Sequence, residues 1–466
     1  MMKPVRIFLL VAALFVVRAA VAQSVDVWLT DPSKDILFMK QPSLRLVSAG
    51  AVGIQDPVIK VDATHSFQSM VGWGWALTGG SAQALLKMST PARAALLKEL
   101  FGVAGSEIGG SYLRVSIGAS DLNDHVFSYD DMPAGQTDTS LAHFDLGPDK
   151  MEVIPILKEI LKINPGIKIL GSPWSPPKWM KTNEDSRGGS LKPEYYEVYA
   201  RYFVRYIKAM QQAGIRIDAI TVQNEPLHPG NEPSMLMPAT EEGAFVKTAL
   251  GPAFRKAGLT TKIIIYDHNA DKPEYPISIL DDADARQYVD GSAFHLYGGK
   301  IEALSKVHDA YPKKNLYFTE QWVGAPGDFK KDIPDHVRDL IIGATRNWSR
   351  NVVEWNLASD PFYKPHTDRG GCDRCLGALT LDGDKVTRNP AYYIIAHAAK
   401  FVRPGSVRIG SNLVSNLPNV AFRTPAGKMV LIVLNDGDGS QNFSIEYKGK
   451  MVKGMLNGGA VGTYVL

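Results

Sequence analysis

Cysteine is all but absent from this chain, and so is any excess of charge. The 466 residues hold two cysteines, Cys372 and Cys375, both in Gly370-Gly371-Cys372-Asp373-Arg374-Cys375. A zinc site there would need two further ligands, with His366 the only histidine nearby. A thioredoxin-type redox pair should open a helix after a strand, whereas this pair sits in a glycine-rich loop. In exported protein the plain reading is a tight local disulfide. Residues 1–22 carry the marks of a secretory signal peptide: Lys3 and Arg6, an apolar run from Ile7 to Val17, and Ala20-Val21-Ala22 before Gln23. Arg18 directly follows that run, which is slightly unusual, so an uncleaved anchor is the alternative. No cysteine follows the cleavage point to accept a lipid. Without Lys3, Arg6 and Arg18 the formal charge of +3 falls to zero. That balance gives no bulk attraction to nucleic acid or an anionic membrane. No later segment has the roughly 18 consecutive apolar residues a membrane span requires. The expectation is therefore an exported protein, periplasmic or secreted, without stable membrane insertion once the leader is removed.

Also missing is a Gly-x-Gly-x-x-Gly opening a helix after a strand, which argues against a dinucleotide-binding doubly wound sheet. What is present is an alternation. Short apolar segments recur at 70–80, 111–121, 167–175, 217–226, 261–269, 291–299, 315–322 and 351–360. Amphipathic stretches lie between them. In 193–214, Tyr199, Tyr202, Phe203, Tyr206, Ile207 and Met210 follow helical spacing between Pro193 and Gly214, most simply a face packed on a sheet. Stretches 149–164 and 336–347 look similar. Eight such alternations predict a (β/α)8 TIM barrel over 69–401. After 401 the pattern becomes β-type runs broken by Pro-Ala-Gly, Asn-Asp-Gly-Asp-Gly and Asn-Gly-Gly turns. An antiparallel β-sandwich side domain is expected over 402–466, joined by N-terminal strands from within 23–68.

A barrel places its working residues at the carboxyl ends of its strands. Arg114, Trp174, Glu225, His295, Tyr297, Glu320 and Trp355 all fall there. Six of the eight tryptophans (Trp73, Trp75, Trp174, Trp179, Trp322, Trp355) occupy these ends or adjoining loops. Flat apolar faces with one polar edge suit sugar rings. The segment AITVQNEPLHPGN (219–231) ends an apolar run in a carboxylate between an amide and a proline. A buried charge needs a partner or a use. Glu225 after the fourth segment and Glu320 after the seventh could converge on one pocket, as glycosidic cleavage by a carboxylate pair requires. The bland readings are a chance Asn-Glu-Pro and an ion pair of Glu320 with Arg114. His295 could be a satisfied core histidine. The run YDHNAD (266–271) could be a polar rim, and no ligand spacing in it points to a metal.

The motifs TVQNEP, YFTEQW, LRVSIGASD, GSPWSPPKWMKTN, FHLYGG and EWNLA resemble, in order, those of glycoside hydrolase family 30, the glucosylceramidase-like group. The resemblance runs from about residue 60 to the C-terminus. It implies a barrel with a β-sandwich side domain and a cofactor-free, metal-free retaining mechanism by double displacement. Glu225 matches the acid/base and Glu320 the nucleophile. Arg114, Asp121, Trp174, Asn224, His295, Tyr297 and Trp355 match positions lining the glucose subsite, with Trp322 a further candidate for sugar contact. The chain departs from the animal lysosomal members at Thr78-Gly79, where they carry Thr-Asp. Its loop after Tyr297 is short, and the Gly370–Cys375 segment has no counterpart in them.

The expected substrate is a carbohydrate, a β-glucan or β-glucoside. Loops 181–194 and 359–375 are polar and charged, with Phe362 and Tyr363 their only aromatics, which suits a second sugar better than ceramide. An endo-β-1,6-glucanase is therefore expected ahead of a glucosylceramidase. Another barrel glycosidase, of xylanase or cellulase type, is argued against by the β module and the Arg114–Asp121 segment. A non-catalytic carbohydrate-binding protein would have lost one of the glutamates, and neither is lost.

Overall fold

The computed structural model describes residues 24–49 and 56–466; the leader expected at 1–22 lies outside them. Eight parallel strands close into a barrel: Gly72–Ala76, Tyr112–Ser116, Lys168–Ser172, Ala219–Thr221, Lys262–Ala270, Val289–Gly299, Asn315–Glu320 and Ser349–Glu354. Each lies in or overlaps one of the eight apolar segments, and the last pairs with the first, Val352 beside Trp73. Such strands, covered on both faces, are apolar throughout instead of alternating. Tyr112, Leu170, Ala219, Ile264, Ala293, Tyr317 and Val353 form one buried cluster drawn from seven of the eight strands.

The helix Tyr196–Gln212 buries the six residues that the spacing predicts as its packed face. The stretch at 149–164 folds as Val153–Ile163, whose buried residues Val153, Ile154, Ile156, Leu157 and Ile160 lie on one side. The 336–347 stretch differs: Val337–Ala344 winds as a π-helix directly after Phe329–His336, a helix with Pro334 inside it. Proline cannot donate its backbone N–H, and an interior proline disturbs the regular ladder.

The side domain is a ten-stranded sheet wrapped around its own core of Val25, Ile59, Leu431, Phe443, Ile445 and Tyr464, among others. N-terminal strand Ser24–Asp31 pairs antiparallel with Val461–Val465. One pairing departs from the antiparallel expectation: Val58–Ser69 runs parallel to Gln441–Tyr447 while its later part pairs antiparallel with Val407–Ser411. A twelve-residue strand long enough to serve two neighbours along its length reaches both parts of the sheet. Among the described residues, no helix is long and apolar enough to cross a membrane.

Candidate active site

The carboxyl ends of the strands surround a cleft of about 530 Å³ lined by Asp121, Trp174, Glu225, Glu320, Tyr297 and Trp355, among others. Arg114, fully buried on the second strand, organises its floor. One guanidinium nitrogen donates to Glu320 Oε2, another to Asn224 Oδ1 (2.6 Å) and Asp267 Oδ2 (2.8 Å), and Nε to Ser172 Oγ (3.2 Å). The guanidinium also lies 4.9 Å from the centre of the Trp174 ring and 5.8 Å from that of Trp355. Those two rings pack at 5.3 Å, tilted by 32°.

Asp267 is the hub of this floor, although the sequence marks its segment only as a polar rim. Besides Arg114, its Oδ2 accepts from Ser172 (3.1 Å) and Thr221 (2.7 Å), while its Oδ1 accepts from Thr319 (2.6 Å) and lies 3.2 Å from His295 Nε2. Small hydroxyl residues at three strand ends were the signal that a buried acceptor stands among them. His295 uses both ring nitrogens. Its Nδ1 is 3.2 Å from Glu225 Oε1 and 3.9 Å from Glu320 Oε1, so one imidazole faces both glutamates. Tyr297 donates its hydroxyl to Glu320 Oε1 at 2.9 Å.

The strand-end expectation needs one correction. The fourth strand stops at Thr221, and Glu225 stands four residues beyond it with φ +44°, in the left-handed region that a non-glycine residue rarely enters. Its N–H donates to Asp267 O (3.0 Å) and its carbonyl accepts from His228 N–H (2.9 Å), which fix the turn. Glu320 is the last residue of its strand. All ten residues singled out for catalysis or sugar binding gather around this one cleft or its floor: Trp322 lines the wall beside Trp355, and Asn224 is held by Arg114 and by its N–H bond to Pro173 O.

Cys372 and Cys375 are joined as a disulfide, and both line the cleft. The Cys372 N–H donates to Asp121 Oδ2 (3.2 Å), and Arg374 O accepts from Ala325 N–H (2.8 Å). The loop therefore ties the segment after the second strand to the one after the seventh. Its glycines are required: Gly370 has φ +123°, and a Cβ on Gly371 would come within 2.6 Å of the Thr367 backbone. Sequence reasoning also missed His268, His228, Asn231 and Asn269, which line the same cleft, His268 Nδ1 lying 3.9 Å from Glu225 Oε1.

Burial drives Asp267 toward neutrality, but the Arg114 charge and the bonds from His295 and Thr319 hold it far below the usual carboxylate range. Burial likewise opposes a charged His295, yet Glu320, Asp267 and Glu225 raise it to about 9. Glu320 ends above its ordinary value because burial, with the charge of Glu225, outweighs His295 and Arg114. Glu225 is as deeply buried, but the bond and charge of His295 bring it below its ordinary value. Asp121, pushed up by burial and then by Glu320 and Glu225, reaches about 7. The four carboxylates thus share two cations, and a proton held by one glutamate is felt by the other. Glu225, His268 and His295 each offer one atom that could ligate a metal, all within 4.8 Å of one another.

Comparison with known proteins follows the same division. Residues 70–402 match the glycosyl hydrolase family 30 TIM-barrel domain and residues 405–464 the family 30 beta sandwich domain. An endo-1,6-beta-D-glucanase of Neurospora crassa is 36% identical over 393 residues, 82% of this chain and 79% of its own length. The lysosomal acid glucosylceramidase of Mus musculus is 29% identical over 81% of this chain and 77% of its own. A solved endo-beta1,6-glucanase superposes with TM-score 0.87 at 34% identity, covering 95% of this chain and 99% of that one.

Proposed function

The chain belongs to glycosyl hydrolase family 30, and from that premise we propose that it cleaves β-1,6-linked glucan with retention of configuration, Glu320 acting as nucleophile and Glu225 as acid/base. The observation carrying the mechanism is the pair of buried glutamates facing one imidazole in a tryptophan-walled cleft. Glu320 attacks the anomeric carbon while the leaving oxygen takes a proton from Glu225. A glycosyl ester forms on Glu320, and a water deprotonated by Glu225 then releases the sugar.

Charge placement has to change for this to run. Burial raises Glu320 and His295 lowers Glu225, the reverse of the order the first step needs. Arg114 and Tyr297 both donate to Glu320, and such bonds favour the ionised form. A glycosidic oxygen entering beside Glu225 supplies the acceptor that makes a proton there useful. Asn224, its Oδ1 committed to Arg114, has its amide nitrogen free to donate to the sugar 2-hydroxyl.

The substrate rests on different ground from the expected polar rim. Much of the charge on the two loops is spent internally: Arg369 binds Asp185 (2.6 Å) and Glu232 (2.5 Å), and buried Lys181 donates to Ser186 O and Ser234 O. Support comes instead from the glucanase relatives and from the polar wall near Glu225. We further propose residues 1–22 as a cleaved leader with export of the rest, and 69–401 as the catalytic unit carrying a side domain built from 23–68 and 402–466. The test is kcat/KM on β-1,6-gluco-oligosaccharides against glucosylceramide in detergent. A higher value on the lipid would replace this substrate with the one named for the mouse relative.

A further inference from the structure

We infer that the wall around His268 is the subsite for the sugar on the leaving side of the cut, with His268 Nδ1 the atom that binds one of its hydroxyls. This rests on the reading of Glu225 as acid/base, because the leaving oxygen must lie on the side of the cleft from which Glu225 donates.

Three observations carry it. The first is local backbone. Tyr266 and Asp267 both have positive φ (+75° and +57°), and the register against the neighbouring strand slips there, with Ala293 opposite Tyr266 but Phe294 opposite His268. One extra residue in a strand is a bulge, and bulges re-aim side chains beside active sites. Here the consequence is that Asp267 enters the floor while His268, the next residue, lines the cleft. Regular alternation would send one of them away.

The second is an unmet bond. The His268 side chain is 9% exposed, and its Nδ1 is buried with no partner; Glu225 Oε1, at 3.9 Å, is beyond hydrogen-bonding reach. Buried polar atoms are almost always paired, so an unpartnered one on a residue that lines the cleft points to a ligand atom. Burial, opposed by the charge of Glu225 and reinforced by that of His295, lowers His268 to about 4, and a neutral ring has one donor and one acceptor. A hydroxyl group, itself donor and acceptor, is the matching chemistry.

The third is the company His268 keeps. Leu227, His228, Asn231 and Asn269 line the same cleft, Asn269 next in the chain to His268 and Leu227 and His228 just after Glu225, whereas Trp174 and Trp355 pack over Arg114. A mixed wall of amides and imidazoles is a poor landing surface for an acyl chain and a good one for a sugar.

The same subsite would receive an incoming sugar in the second step. The ester bond from Glu320 to the anomeric carbon breaks as an acceptor hydroxyl oxygen bonds to that carbon, and the hydroxyl proton passes to Glu225. Water and a bound sugar then compete for the glycosyl enzyme. The experiment uses para-nitrophenyl β-glucoside as donor and methyl β-glucoside as acceptor, and measures the ratio of transfer product to free glucose. His268→Ala should lower that ratio about tenfold, and His268→Asn, whose amide can occupy the Nδ1 position, should recover part of it. A ratio equal to that of the unmodified enzyme would overturn the assignment and leave His268 as a support for Glu225 only. Absence of any transfer by the unmodified enzyme would overturn it as well. Because the donor is an aryl glucoside, the outcome does not depend on the polymer. An enzyme that transfers through His268 yet leaves β-1,6-glucan uncut would refute the substrate and keep the subsite.

Discussion

Charged residues gather at both ends of the barrel, and the two ends handle them differently. At the amino end Lys168 meets Asp218 at 3.0 Å and Lys262 meets Asp290 at 3.0 Å, with lysine side chains 36% and 43% exposed. Arg350 there donates to Asn315 Oδ1 at 2.8 Å. Each of these lysines has a carboxylate and water within reach. At the carboxyl end Arg114, Asp267 and His295 have fully buried side chains, and Glu320 is 8% exposed. There the carboxylates Asp121, Glu225, Asp267 and Glu320 outnumber the cations Arg114 and His295, and their pKa values are displaced in both directions. Matched pairs at a wet surface hold strands in place. An unmatched buried set has displaced pKa values and a proton that can move, which is what acid–base chemistry needs.

The harshest way to break this contrast is at the glutamates. Glu320→Ala should cut kcat by about 10⁴-fold or more on every substrate, since no other group can form the glycosyl ester. Glu225→Ala should lose about 10²–10⁴-fold on oligosaccharides but less on aryl glucosides whose leaving group needs no proton, with added azide restoring turnover. Equal losses across both mutants and both substrate types would mean that the roles are misassigned. In an enzyme–glycoside crystal structure the two carboxyl groups should stand about 5–5.5 Å apart, the separation of a retaining pair.

Next in size is the stability of the buried set. Arg114→Met takes the buried cation from Glu320 and Asp267 and a donor from Asn224; the hydroxyl donors that remain on the two carboxylates carry no charge, and breaking a buried ion pair costs about 3–5 kcal/mol. Denaturant unfolding at pH 7 measures it, and a loss below about 1 kcal/mol would make this end no different from the other. His295 adds a pH signature. Its folded pKa of about 9 lies above the ordinary 6.5, so its contribution is fully present below pH 6.5 and is lost as pH rises to about 9. The loss is on the order of 3 kcal/mol, and His295→Gln should flatten it. An unmodified protein as stable at pH 9.5 as at pH 6 would contradict the assignment.

How much of this was open to the sequence depends on whether a residue acts through its own neighbourhood or through a distant one. Glu225, Glu320 and the tryptophans were legible because each sits at a break between an apolar run and a polar stretch, and a barrel turns such breaks into one rim. The six buried positions of Tyr196–Gln212 were legible because a helix face is periodic. Asp267 was not, since its meaning comes from Arg114, Ser172, Thr221 and Thr319 on four other strands. His268 depends on a bulge that no local composition marks. The cysteine pair was recognisable as a local disulfide, but its place in the cleft wall follows from a bond to Asp121, 251 residues away in the chain. The parallel pairing in the side domain was hidden for the same reason, joining residues near 60 to residues near 445.

That disulfide supplies a smaller and more selective effect. Replacing Cys372 and Cys375 by serine should loosen the loop that donates to Asp121 while leaving Arg114, Glu225, His295 and Glu320 in place. Losing one hydrogen bond's worth of order, about 1 kcal/mol, corresponds to a KM raised about fivefold with kcat little changed. A fall in kcat with KM unaltered would mean that the loop shapes the chemistry and not the fit.

The smallest expected effect is the control that gives the comparison its meaning. Lys262→Met removes a cation from the amino end, where Lys262 Nζ lies 3.0 Å from Asp290 and 3.5 Å from the Tyr317 hydroxyl. Asp290 keeps bonds from Tyr317 (2.6 Å) and Asn315 (2.9 Å) after the change, so no carboxylate is left without a donor. Lys262 is 43% exposed, and water takes over its share of the charge. The expected cost is about 0–1 kcal/mol, with kcat/KM unchanged, read by the same denaturant titration and the same aryl-glucoside assay as Arg114→Met. The two substitutions are chemically alike, each trading a cationic side chain for a methionine on a barrel strand. If the amino-end variant lost several kcal/mol, or if it slowed turnover, pairing and burial would not be what separates the two ends, and the barrel would be coupling its charges along the length of the strands.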